Sequence, residues 1–92
     1  MRPPTKTIWK FPLAITDRQV LPMPPGAKIL SVAPQAGILT LWAEVQPDLT
    51  PTSRRVTIVG TGNPIPAHPG EFVGTAVMPP FVWHVYVDRE GA

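Results

Sequence analysis

The chain contains no cysteine. Disulfide staples, cysteine-type zinc sites and thiol catalysis are thereby excluded. Charged residues make up only 15% of the 92 positions. Serine occurs only at Ser31 and Ser53, and neither sits in a Gly-x-Ser-x-Gly elbow. Histidine occurs only at His68 and His84, with no His-x-His or His-Glu-x-x-His spacing to suggest a metal site. The six carboxylates are spread one per segment, so no acid–base pair stands out. No catalytic residue, metal ligand or cofactor is expected, and the chain reads as a non-enzyme. No run of eighteen apolar residues exists, so no membrane partner is expected. Met1-Arg2-Pro3-Pro4 lacks the apolar core of a signal peptide, which makes the cytoplasm the expected location.

What is present is apolar and heavily punctuated. Leu, Ile, Val and Phe fill 25 positions, enough for a packed core rather than a disordered chain. At this length one domain is expected, spanning residues 1–92. Its core is small, because a domain this size buries only about two-thirds of the surface its unfolded chain exposes. Self-association is one way to bury more, so a homo-oligomer is expected, most simply a twofold dimer. Net charge is +2, and the basic residues are scattered apart from Arg54-Arg55. Bulk nucleic acid is therefore an unexpected partner.

Fourteen prolines and seven glycines rule out long helices and cut the chain into strand-length pieces. Expected strands are Thr5 to Leu13, Asp17 to Pro22, Lys28 to Ala33, Ile38 to Val45, Arg54 to Gly60, Glu71 to Met78 and Phe81 to Asp88. Pro12 in the first suits an edge or a strand end. Pro34-Gln35-Ala36-Gly37 closes the clearest hairpin, with Gly37 available for a positive φ. Pro79-Pro80 joins the last two strands. Every connection is too short for a parallel crossover, so pairing is antiparallel. The fold class is all-β: a small antiparallel sandwich or partly open barrel of six to seven short strands. Alternation predicts a core of Leu30, Val32, Leu39, Leu41, Val56, Ile58, Trp83 and Val85.

Gly60-Thr61-Gly62-Asn63-Pro64-Ile65-Pro66 is the most distinctive string. Its plain role is a strand end followed by a proline-locked loop. Its sharper role is a nest of inward N–H groups for phosphate or carboxylate. It is not a dinucleotide fingerprint, since the third glycine and the following helix are absent. Arg55 in the strand before it can add a bidentate contact to an anion. Trp42 lies on the mixed face of its strand, opposite to Leu39, Leu41, Ala43 and Val45, and is the best stacking platform for a base. The candidate site is therefore Trp42, Arg55, Gly60, Thr61, Gly62 and Asn63, with a small anionic, nucleotide-like ligand. It requires the strands of Trp42 and Arg55 to neighbour each other, as sequential strands do about two-thirds of the time.

Several strings together resemble one known group: Thr7-Ile8-Trp9-Lys10-Phe11-Pro12-Leu13, Met23-Pro24 with Gly26-Ala27-Lys28-Ile29-Leu30-Ser31-Val32, Leu41-Trp42-Ala43, Gly60-Thr61-Gly62-Asn63-Pro64-Ile65 and Val82-Trp83-His84-Val85. The chain is similar to a family of short phage and prophage proteins, about ninety residues long and single-domain in size, described as a domain of unknown function. The resemblance covers nearly the whole chain and transfers no activity or site residue. By analogy with other small phage proteins it implies a binding module, such as an oligomeric sponge for a nucleotide-derived defence signal. The alternative it implies is a structural, assembly or host-protein-interaction protein of a phage.

Overall fold

A computed structural model of the chain describes residues 5–89. Seven strands follow one another: β1 Thr7–Pro12, β2 Arg18–Met23, β3 Lys28–Gln35, β4 Ile38–Val45, β5 Thr52–Gly60, β6 Glu71–Met78 and β7 Phe81–Val87. They form a three-stranded sheet in the order β1-β4-β3 and a four-stranded sheet in the order β2-β5-β7-β6. All pairings are antiparallel, as the short connections require. The sheets face each other as a sandwich that does not close into a barrel. Along one side β3 and β6 lie against each other. Among the described residues no helix is long and apolar enough to cross a membrane.

The prolines explain which strands are edges. Pro12 ends β1, Pro22 lies in β2 and Pro34 lies in β3, and all three strands are sheet edges. Proline has no N–H to give to a neighbour, so it is tolerated where only one side of the strand is paired. The interior strands β4, β5 and β7 carry none. The β3–β4 hairpin turns through Ala36 and Gly37, at φ 50° and 77°, between the paired residues Gln35 and Ile38. Two central residues with positive φ match the twist of the flanking strands.

The core lies between the sheets. From β4 come Leu39, Leu41, Ala43 and Val45; from β5, Val56 and Ile58; from β7, Val85 and Val87. Met23 at the end of β2, Leu13 after β1, Ala27 before β3 and Ala76 of β6 complete it. Trp83 is half-buried at its margin, packed against it rather than enclosed.

Leu30 corrects the alternation. It is 41% exposed, not core. In β3, Ile29 is opposite Ala43 but Ser31 is opposite Trp42, so Leu30 is the extra residue of a β-bulge. The bulge changes the parity of the strand. Ile29 and Val32, three positions apart, both pack against the core, and Leu30 is turned out. A strict period of two cannot survive such an insertion.

Candidate functional site

Thr57 and Val59 face away from the core residues of β5, yet they are 0% and 6% exposed. The connection of residues 61–70 covers them. It lies back over the outer face of the four-stranded sheet, tied down by Arg18, whose Nη2 donates to Ala67 O at 3.5 Å, and by Arg55, whose Nη2 donates to His68 O at 3.0 Å. A small cleft of about 250 Å³ remains beside Val59, Gly62, Asn63, Ile65, His84 and Tyr86.

The Gly60–Asn63 string begins this connection as a tight turn. Thr61 N–H donates to Val82 O at 3.2 Å, and Asn63 N–H donates to Gly60 O at 3.0 Å. Those two donors are therefore engaged within the chain. Gly62 takes φ 92°, which favours glycine. At Gly60 a Cβ would lie 3.0 Å from Asn63 Nδ2 and 3.2 Å from the Trp83 ring, so a side chain there would press on both neighbours. Thr61 Oγ1 is 2.8 Å from His84 Nε2, and Thr75 Oγ1 is 2.9 Å from His84 Nδ1. A hydroxyl both donates and accepts, so a neutral imidazole is satisfied in either tautomer.

Arg55 is paired. Its Nη2 donates to Asp88 Oδ1 at 3.1 Å. Its Nε is 3.1 Å from Asp88 Oδ2, aligned too poorly for a hydrogen bond, so that contact is Coulombic attraction. Arg54, only 8% exposed, donates from Nε to Asp88 O and from Nη1 to Ala27 O, both at 3.1 Å. The two arginines hold the end of β7 and the start of β3 in place.

The six candidate residues do not converge. Gly60, Thr61, Gly62 and Asn63 share one turn. Arg55 is five residues back along β5, about 17 Å at strand rise. Trp42 is in the other sheet, because β4 and β5 do not pair as their sequence adjacency suggested. It lies on the outer face of the three-stranded sheet, opposite Lys10 of β1 and Ser31 of β3.

A different surface stands out at the end of the sandwich where the β3–β4 and β6–β7 turns meet. A groove of about 680 Å³ there is lined by Ile15, Pro34, Val77, Met78, Phe81 and Trp83, among others. The Phe81 and Trp83 rings stack with centroids 5.2 Å apart at 25°. Phe81 is 55%, Val77 63% and Ile15 51% exposed, so large apolar groups meet solvent together. No Asp, Glu, Lys or Arg occurs from Phe72 through Val87. That charge-free stretch was visible in the sequence. Alternation marks its strands but does not reveal which apolar faces stay uncovered.

The fold and these surfaces define a small two-sheet β-sandwich with one uncharged, apolar end. The chain belongs to the family described as Domain of unknown function (DUF7352), which matches residues 4–92. No curated protein and no solved structure matches it.

Proposed function

We propose that the chain is a non-enzymatic binding and assembly module, and that its apolar end is the surface through which two copies join. The observation that carries this reading is the groove at the β3–β4 and β6–β7 turns, with Ile15, Val77 and Phe81 all more than half exposed around it. Contiguous exposed apolar surface on a small soluble domain marks a protein contact more often than a solvated face. The occupant is a second copy because the surrounding stretch, Phe72 to Val87, has no ionised side chain of the Asp, Glu, Lys or Arg kind. A twofold contact sets each residue near its own equivalent, so any charge there would meet its like. Absence of charge makes the surface compatible with itself. Aromatic residues at its centre are the usual anchors of such contacts.

A phage or prophage origin, implied by the resemblance, fits such a module in a particle or against a host factor in the host cytoplasm. A nucleotide-derived ligand at Gly60–Asn63 has less support, because Arg55 is neutralised by Asp88 and two of the turn's N–H groups are already bonded.

Sedimentation or light scattering of the full chain tests the proposal. The expected species has about twice the 10.0 kDa mass of one chain. Phe81→Ser and Val77→Asp, both at exposed positions, should return it to a monomer with an unchanged circular dichroism spectrum. A wild-type chain that stays monomeric up to high micromolar concentration, or variants that dimerise as wild type does, would refute it.

A further inference from the structure

The chain has only three lysines, Lys6, Lys10 and Lys28, and they come from separate parts of the sequence. The fold gathers them. Lys10 of β1 is opposite Trp42 of β4, and Lys28 of β3 is opposite Glu44 of β4. Residues opposite each other in an antiparallel pair project from the same face. Lys6, just before β1, reaches the same face, with its Nζ 3.5 Å from Glu44 Oε1. All three lysines therefore share the outer face of the three-stranded sheet with Trp42: Lys10 is directly opposite it, and Lys6 and Lys28 lie nearer Glu44, the acidic residue among them. Lys10 Nζ donates to Gln35 Oε1 at 3.0 Å, a neutral partner that leaves its charge intact. The Lys6–Glu44 pair is exposed at 58% and 35%, where solvent leaves an ion pair little strength. Trp42 is half-buried, fixed in place with part of its surface in solvent.

Three lysines against one glutamate thus give this flat face a net positive charge, with an aromatic residue among them. Of the four arginines in the described residues, Arg55 and Arg89 are paired with Asp88 and Glu71, while Arg18 and Arg54 donate to main-chain oxygens and keep their charge away from this face. The three lysines, scattered along the sequence, are gathered in space, whereas Arg18, Arg54 and Arg55 belong to the other sheet.

We propose that this face binds single-stranded nucleic acid, with a base stacked on Trp42 and the lysines on the backbone phosphates. The spacing selects a polyanion over a mononucleotide. Lys6 and Lys10 are four residues apart on one strand, about 13 Å, and Lys28 is two strands away from β1, about 10 Å. Charges that far apart do not converge on one phosphate group. Strand positions spaced this way suit separate phosphates along an extended chain. A base free to stack on a side chain must be unpaired, which selects a single strand over a duplex. This surface shares no residue with the apolar end, so the inference stands or falls separately from the dimer.

The test is fluorescence anisotropy with a labelled oligothymidylate of about a dozen nucleotides, titrated with the full chain over a series of salt concentrations. Binding should weaken with salt at a log–log slope of about 2, since each phosphate contact of a single strand contributes about 0.7. Lys10→Ala with Lys28→Ala should lower that slope to about 0.7. Trp42→Ala should weaken binding by about tenfold with the slope unchanged. Phe81→Ser should leave binding intact. The lysine variants are exposed surface changes, so they keep the test valid even if Trp42→Ala unfolds. Absence of saturable binding at low salt would overturn the proposal. So would an unchanged slope in the double lysine variant, equal affinity for a duplex of the same length, or displacement of the oligonucleotide by an equimolar mononucleotide.

Discussion

Leu30 and Leu41 look equivalent in the sequence, each on the apolar side of an alternating strand, and the structure separates them. Leu41 is 0% exposed in the middle of β4, the interior strand of its sheet, directly between Phe11 of β1 and Val32 of β3. Truncation to alanine removes the buried side chain and leaves a void. Hydrogen-bonded strands on both sides prevent the walls from collapsing into it, so the cost belongs near the upper end of the 2–5 kcal/mol range, about 4 kcal/mol. In a domain of this length each kcal/mol lowers the melting temperature by roughly 4–8 °C, so the shift is on the order of 15–30 °C. Leu30 is 41% exposed on its bulge. Truncation there loses only part of the 1.5–3 kcal/mol that full burial of such a side chain brings, and water fills the space. The expected cost is about 1 kcal/mol. Urea denaturation of both variants, read as midpoint and slope, measures the difference. Equal losses in Leu30→Ala and Leu41→Ala would refute the bulge and restore simple alternation in β3.

Thr57 Oγ1 is buried without a hydrogen-bond partner. Thr57→Val replaces the hydroxyl with a methyl of similar shape, and should be neutral or stabilising by about 1 kcal/mol in urea denaturation. A clear loss would reveal a partner for that hydroxyl. Asp88→Asn removes the charge that Arg55 pairs with, at 35% and 18% side-chain exposure. It should cost about 1 kcal/mol at low salt and less at high salt, where screening already weakens the pair. A cost independent of salt would mean that the lost contribution is not Coulombic. Gly60→Ala places a methyl 3.0 Å from Asn63 Nδ2 and 3.2 Å from the Trp83 ring. It should cost about 1–3 kcal/mol as overpacking, and Asn63→Ala in the same chain should recover part of that in thermal melts.

Much of the architecture was legible in local chemistry. Turn residues between apolar runs marked seven strands, and their short spacing forced antiparallel pairing. Pro12 announced an edge or a strand end, and is both, because a missing N–H has the same consequence in any fold. Pro34-Gln35-Ala36-Gly37 announced the hairpin connection and Gly37 its positive φ, but Pro34 and Gln35 pair with Leu39 and Ile38, so the turn itself is only Ala36-Gly37. These features depend on neighbours within a few residues, so the sequence by itself determined them. The alternation of β4 also held, since Leu39, Leu41, Ala43 and Val45 are all buried. Tertiary structure decided what depends on strand order and register. It sent β4 and β5 into different sheets, which separated Trp42 from Arg55. It inserted the bulge that expelled Leu30. It paired Arg55 with Asp88, 33 residues away. It also laid β1 and β3 on either side of β4, which drew Lys6, Lys10 and Lys28 onto one face with Trp42. A side chain's face follows from local backbone geometry, but its neighbours on that face come from strands elsewhere in the chain, and only the folded sheet chooses them.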